Sequence, residues 1–504
     1  MVQVKAEKTG AELNHSRILN INTWSDYPEV NGFVDEIYKN HFSDLTQIKK
    51  KHLKVVLLDL YVCWFYDPDM CLAISLDNNA YKKNSIYNAL FISNLTIKIV
   101  GRLKRDGFIY LKKGNNVVVA RRTRIWPTGR LIELFQKAVF NILDVGLAPN
   151  TNTIILRNTD KEDIEYKSTS KTDAMREVLT DYNNLLHKTH IDIANLKKPE
   201  IVRKQGKDQK NPARIQINQH NKFVYRVFNE TFERGGRFYG GFWQQVGKDH
   251  RKHIRLNGER VIEIDFSGWH IQLLYARKNI NYYEKYGPGA DPYDIHVPEI
   301  NDPAYRRWLI KTLMLIAVNA TTQAKTFMAM QHTDTPDDLN RPAGLVLSNE
   351  LLGSILDKLK AKHAEIGEFF CTGAGIELQN VDGRITEQLI KTFTQSGVPI
   401  LTVHDSYLVP EDYNRDLLAE MMKEYKAIGL GGKHLGGTGL ASIETDLAYT
   451  RVKQLGYLDE EFDPEEPGGG ELHQEILALR EQELTATPAY KRRLSAFREW
   501  LERD

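Results

Sequence analysis

Three patterns in this 504-residue chain pair residue types with spacings that suit phosphoryl transfer. After Arg260, Ile262, Ile264 and Phe266 alternate with Val261, Glu263 and Asp265. That period predicts a strand with one apolar face and puts Asp265 on the other face near its end. Asn301-Asp302-Pro303 is a polar cap with proline at the first helical position, and the helix it predicts runs to about Ala320. Along it Arg307, Lys311, Leu315 and Asn319 recur every four residues, a stripe on which a triphosphate could lie. Arginine offers a planar fork for a terminal phosphate, and lysine a point charge one turn away. Gly397 to Pro410 reads as two apolar β-type runs broken by His404-Asp405-Ser406, a hairpin with an acid at its tip. Two carboxylates such as Asp265 and Asp405 could hold a pair of divalent ions about 3.5 to 4 Å apart, the arrangement that activates a 3′-oxygen and steadies a leaving pyrophosphate. Oxygen ligands of this kind suit magnesium or manganese. Each segment alone also has an ordinary reading: a strand-end cap, a solvated basic helix edge, a polar turn.

The elements that must position these residues divide the chain into four parts. Residues 1–149 mix helix and strand, and 150–212 are polar helices and linker. Residues 213–456 hold most of the aromatic and glycine punctuation, and 457–504 are an acidic linker with a helical tail. At 58.0 kDa the chain has length for two to four domains. Hydrophobic residues are 41% and charged residues 27%, and no uninterrupted apolar stretch of membrane-spanning length occurs, so neither a membrane-spanning nor a disordered protein is expected. Three cysteines, Cys63, Cys71 and Cys371, form neither a disulfide framework nor a four-cysteine zinc site, which fits a reducing compartment. With no apolar signal core at the N-terminus, a cytoplasmic location is expected, in a bacterial or phage-infected cell.

Net charge is only +2, but its distribution is uneven. Between Tyr81 and Arg130 twelve basic residues face one acid, Asp106, a field that attracts phosphate backbones. There Ser93-Asn94 can cap a helix whose Leu95, Ile99 and Leu103 form one apolar stripe, while Lys98, Arg102 and Arg105 point elsewhere. Two β-type runs, Phe108–Leu111 and Val117–Ala120, follow around a turn carrying Lys112 and Lys113. A helix followed by a basic hairpin resembles the winged-helix fold, in which the helix enters a DNA groove and the wing touches the backbone. The alternative is a basic, solvated helix and hairpin in a structural domain.

Across about half the chain, the order and spacing of the pieces resemble the superfamily of family A DNA polymerases and single-subunit phage-type RNA polymerases. Asp265-Phe-Ser-Gly-Trp-His-Ile-Gln-Leu-Leu-Tyr-Ala276 is similar to motif A, Arg307 and Lys311 with Leu315 and Asn319 to the motif B helix, and Val403-His404-Asp405-Ser406 to motif C. Gly236-Arg237, Gln244-Gln245, Arg251 and Arg255 resemble the primer-template contact segment before motif A, and Gln379 with Asp382 sits where the family has a Gln-containing helix. The intervals are 46 residues from Asp265 to Lys311 and 94 from there to Asp405.

The resemblance implies an α+β multidomain protein: a right-hand polymerase with palm, fingers and reduced thumb, the thumb from helices around Thr172 to Leu196, preceded by the winged-helix-like domain. It assigns Asp265 and Asp405 to two metal ions (Mg2+ or Mn2+) and Arg307, Lys311, Leu315, Asn319 and His270 to the nucleotide. Lys311 would neutralise, or protonate, the departing pyrophosphate. Arg237, Gln244, Gln245, Arg251, Arg255, Gln379 and His404, with Lys98, Arg102, Lys112 and Lys113, would contact nucleic acid.

Two departures bear on the sugar. His270 stands where the DNA enzymes usually carry a Glu gate, a bulky residue that favours dNTPs. Asn319-Ala320 replaces the Tyr-Gly of motif B, and an amide there suits a 2′-hydroxyl. Gln272 and Ser406 also resemble the RNA enzymes. A proofreading exonuclease is not expected, because the only Asp-x-Glu triplets before the palm, Asp160-Lys-Glu162 and Asp163-Ile-Glu165, lie in a charged run. No Gly-rich loop with Lys-Ser/Thr supports an ATPase. The glycines at 431–439 read as a flexible loop or a phosphate cradle, and Glu444 and Asp446 as a third acid or a polar strand edge.

The expected activity is a template-directed nucleotidyltransferase leaning to DNA synthesis, of phage or mobile-element origin. It would use a DNA template and primer with dNTPs or NTPs, and no membrane. The alternatives are an RNA polymerase or primase-like enzyme of the same fold, a DNA-binding replication initiator with a degenerate palm, and a metal-dependent nuclease. The tail from Leu472 would bind a protein partner or pack on the body.

Overall fold

Two apolar cores organise the chain, one running from Leu19 to Val145 and the other from Ile154 to Met421. The computed structural model describes residues 5–114, 122–203, 213–266, 268–287, 290–336, 339–427 and 485–503. The glycines at 431–439, Glu444, Asp446 and the Pro464–Gly470 segment lie outside them.

The first core joins helices α1 (Pro28–His41), α2 (Gln47–Tyr66) and α3 (Leu95–Arg105) to a four-stranded sheet. Its strands are β1 (Ser16–Ile18), β2 (Cys71–Ile74), β3 (Ile109–Lys112) and β4 (Thr123–Pro127), in the order β1-β2-β4-β3. From His52 to Cys63 every residue of α2 is buried, as a helix that is apolar on most sides must be. The two charges inside it are answered. Lys54 Nζ donates to the Ser25 carbonyl and Asn31, and Asp59 accepts from Arg17 and Thr23. On α3, Ile99, Val100 and Leu103 turn inward while Lys98, Lys104 and Arg105 are exposed. The hairpin that follows pairs Lys112 with Arg124, so the second strand begins at Thr123. The expected strand Val117–Ala120 falls outside the described residues.

In the second core, β5 (Ile154–Arg157), β7 (Tyr225–Asn229) and β8 (Thr231–Tyr239) form a three-stranded sheet. A second sheet has five strands: β6 (Ile191–Ile193), β9 (Ile254–Leu256), β10 (Glu259–Asp265), β11 (Leu401–Val403) and β12 (Ser406–Pro410), in the order β11-β12-β10-β9-β6. Helix α4 (Ser170–His187) buries Met175, Leu179, Tyr182 and Leu186 in this core, and the Tyr182 hydroxyl donates 2.5 Å to the carbonyl of Ile400 beside β11. It is shorter than the helical region expected from Thr172 to Leu196, because the chain turns at Lys188 into β6. Then come α5 (Trp269–Arg277), α6 (Pro303–Asn319), α7 (Gln323–Gln331), α8 (Asn349–Lys362), α9 (Gly375–Gln395) and α10 (Asn414–Ala427). Asp302 caps α6 by accepting from the Tyr305 amide at 2.9 Å, ahead of Pro303 in the first turn.

The described part of the tail is one helix, α11 (Pro488–Leu501), and it packs on the body. Phe497 and Trp500 complete the first core. The Trp500 indole donates 2.8 Å to Asp144, and Arg493 makes two bonds to Asp192 on β6, at 2.6 and 3.2 Å. A single helix therefore bolts the first core to the five-stranded sheet. Among the described residues no helix is long and apolar enough to cross a membrane, and the three cysteines are unbridged.

Candidate active site

The antiparallel register of β10 on β12 brings the two candidate acids together. Asp265 lies opposite Ser406, and Asp405 immediately precedes that serine in the turn from β11. Residues so paired hold their Cα atoms about 4.5–5.5 Å apart, so the carboxylates sit at one end of the same two strands. Asp265 is exposed and Asp405 half-exposed. The turn is only His404-Asp405, and His404 takes φ 59°, a left-handed conformation uncommon without glycine but tolerated better by histidine than by branched residues. Two residues back on β10, Glu263 accepts from both ends of the Arg251 guanidinium at 3.0 and 2.8 Å and from Ser406 Oγ at 2.6 Å. This fork holds β10 and β12 in register directly beneath the acids.

A third carboxylate stands behind the hairpin. Asp382, on α9, is 1% exposed. Its Oδ2 accepts from Arg237 Nε at 2.7 Å, while Oδ1 is buried without a partner. Burial pushes its carboxyl up to about 6; Arg237 opposes that shift and the charge of Asp405 adds to it. Arg237 also donates 3.0 Å to His270 Nε2 on α5, so the ring proton must sit on Nδ1, itself buried without a partner. Burial, then the charges of Arg237 and His404, lower His270 to about 3, so the ring is neutral at physiological pH. His270, expected to gate the sugar, is thus a buried side chain in contact with Arg237.

Backbone contact makes this network possible. A Cβ on Gly383 would lie 2.2 Å from the Gly236 carbonyl oxygen, so only glycine lets α9 come this near to β8. The strand bulges there, with φ 71° at Gly235 and 93° at Gly236, and the bulge re-aims Arg237. Asn380 donates to the carbonyls of Phe232 and Gly235, and buried Arg226 bonds both the Gly236 carbonyl and Glu387.

Arg307 and Lys311 are exposed on α6, and both cations approach one ring, Tyr293, at 5.6 and 5.8 Å from its centroid. The Tyr293 hydroxyl is pushed up to about 12, mainly by burial, with Asp291 and Asp405 adding to the shift. One side chain thus feels both the basic stripe and the hairpin acid. Arg307 pairs with Asp291 in this state. Leu315 is half-buried, and Asn319, exposed at the end of the stripe, spends its amide on the Leu315 carbonyl at 2.8 Å and accepts from Gln379 at 3.4 Å.

The residues expected to touch nucleic acid separate into two groups. Gln244 is internal: it donates to the carbonyls of Phe238 and Thr402 and accepts from the Gly240 amide. Arg251 is held by Glu263, Arg237 by Asp382, and Arg255 bonds the Gly258 carbonyl. Gln245 and His404 line a cleft of about 480 Å³ with Tyr225, Tyr239 and half-buried Gln244 itself. In the first module Arg102 is paired with Asp44 and Asp106, while Lys98, Lys112 and Lys113 are exposed. Sequence reasoning overlooked Asp382 as a site residue and overlooked Tyr293 and Asp291. The available signal was a carboxylate next to Val381 and one turn from Leu378 and Ile385, on the apolar side of its helix.

Among the described residues no cluster of three or more His, Cys, Asp or Glu side chains has metal-site geometry. The donor set of the hairpin is two carboxylates. Asp405 has no side-chain hydrogen bond or ion pair among the described residues, and the nearby guanidinium groups of Arg237 and Arg251 are already bonded to Asp382 and Glu263. A hard oxygen donor such as Asp405, without a cationic partner among the described residues, fits magnesium or manganese. No protein family, curated protein or solved structure matches the chain.

Proposed function

We propose that this chain is a template-directed nucleic-acid polymerase of phage or mobile-element origin, with a right-hand arrangement of palm, fingers and reduced thumb. In this reading the five-stranded sheet is the palm, α6 belongs to the fingers, and the first module binds DNA through α3 and its hairpin. The observation that carries it is the pairing of Asp265 with Ser406 beside Asp405 at one sheet end, with Tyr293 near both Asp405 and the Arg307–Lys311 stripe.

Asp265 and Asp405 would hold the divalent ions, which when bound lower the cost of charge on the attacking and leaving oxygens. Arg307 would exchange Asp291 for the terminal phosphate. Lys311, one turn on, would neutralise the pyrophosphate as the primer 3′-oxygen forms its bond to the α-phosphorus and the bond to the β-phosphate oxygen breaks. His404, at the turn, would meet the primer end. The product is read as DNA. His270 keeps bulk behind the aspartate that ends β10, and Asn319 commits one of its amide hydrogens to its own helix.

The test is primer extension with magnesium, with dNTPs and NTPs supplied separately, beside Asp405→Ala. Incorporation of dNTPs that the variant loses by at least about 1000-fold is the expected result. Incorporation of NTPs alone moves the reading to an RNA polymerase or primase. DNA binding without incorporation under any condition makes the chain an initiator with a degenerate palm.

A further inference from the structure

Helix α9 has two working faces. Asp382 and Thr386 face the hairpin, where Thr386 bonds the Tyr407 hydroxyl at 2.9 Å. Two residues beyond Asp382 the helix has turned by about 200°, and Arg384 begins a separate stripe with Gln388 and Lys391 at helical spacing, all three exposed. That stripe forms one wall of a groove of about 260 Å³ whose other wall is α4, with Lys171, Met175 and Val178. The floor is Phe228 and Phe232.

The charges in this groove do not cancel. Its one acid, Glu387, is taken by buried Arg226, and Lys171 pairs with Glu233 at the rim. Arg384 and Lys391 have no acid partner among the described residues. They lie about 10 Å apart along the helix, with Gln388 between them and the apolar floor of Phe228 and Phe232 beneath. A protein with no ligand here holds two cations beside a third, Arg226, whose burial already opposes its charge. Such a site suits a ligand that alternates anionic groups with flat apolar ones at a spacing of several ångströms. The sugar-phosphate chain of a nucleic acid has that character, and base-aromatic stacking adds to its phosphate contacts.

We propose that the α4–α9 groove binds a nucleic-acid strand, with Arg384 and Lys391 on successive phosphates and Phe232 against a base or sugar. This deepens the polymerase reading and rests on it: the strand would reach the groove on the far side of the helix that backs the hairpin with Asp382.

The experiment is anisotropy of a labelled single-stranded DNA oligonucleotide on the full-length protein in EDTA, over a salt series. Each phosphate contact on a single strand contributes about 0.7 to the slope of log K against log salt, so Arg384→Gln with Lys391→Gln together should flatten that slope by about 1.4. The charge-preserving pair R384K and K391R should keep the wild-type slope. An unchanged slope in the double glutamine variant overturns the proposal. Equal flattening in the charge-preserving pair overturns it as well. Primer extension by the wild-type protein is measured in parallel: flattening without extension keeps the groove and sinks the polymerase reading, whereas extension with an unchanged slope does the reverse.

Discussion

Asp382 offers the most quantitative test of the site's electrostatics. In the unfolded chain its carboxyl releases a proton near the ordinary 3.8; in the folded protein it does so near 6, chiefly because the group is buried. Between those values the folded state keeps a proton that the unfolded state has lost. The stability this group contributes is therefore present below pH 3.8 and is lost as pH rises through 6. The difference of about two pH units corresponds to about 3 kcal/mol, and about 2 kcal/mol of it falls between pH 4.5 and 7.5. Asp382→Asn cannot titrate and mimics the protonated carboxyl in size. Urea denaturation of both proteins at the two pH values should show the wild type losing about 2 kcal/mol more than the variant between them, with the other carboxylates cancelling in the comparison. Asp405→Asn removes a charge that raises Asp382, so it should shrink that difference. Parallel pH dependences for wild type and D382N would refute the claim that burial and Asp405 hold this carboxyl up.

Other perturbations probe the supports of the site. Gly383→Ala places a methyl 2.2 Å from the Gly236 carbonyl, so α9 must retreat from β8; thermal unfolding should report a loss of about 1–3 kcal/mol, and on the polymerase reading primer extension should fall with it as Asp382 parts from Arg237. Trp500→Ala empties a site that is 1% exposed and removes a donor from Asp144, a loss of about 3–5 kcal/mol. Differential scanning calorimetry should then resolve a separate, earlier transition for the first module.

What the sequence made legible was periodic. Alternation around Ile262 and Ile264 located β10 and the face of Asp265, and the cap at Asp302-Pro303 located α6 to within a residue or two. Those patterns follow from local backbone geometry and need no knowledge of the fold. Ion pairing between distant segments was not legible. Arg251 and Arg237 look like open cations in sequence, but Glu263 lies 12 residues from the first and Asp382 145 from the second. Only the approach of α9 to β8, set by two glycines, joins the latter pair. The same holds for the tail, whose Trp500 reaches Asp144 across 356 residues. A polar, Glu-rich helical segment gives no local sign that Phe497 and Trp500 finish another module's core.

On the polymerase reading, the ion pairs around the hairpin leave its counter-cations to come from solution rather than from the protein. Arg251 is occupied by Glu263, Arg237 by Asp382 and Arg226 by Glu387, so each of these three guanidinium groups is already matched with an acid of its own. The matching serves position: each fork ties one element to another. It also leaves the charge of Asp405 unanswered by any described side chain, close enough to raise Asp382 behind it and Tyr293 in front of it. Arg307, paired with Asp291, and Lys311 approach the ring of Tyr293 from a separate helix and are exposed. On that reading, a ligand that brings both divalent cations and a polyphosphate would engage Asp405 and the Arg307–Lys311 stripe at once, whereas either component alone would engage only one of them. Binding of magnesium and of a nucleoside triphosphate should therefore be mutually reinforcing, and isothermal titration of each in the presence and absence of the other should show that coupling in both directions.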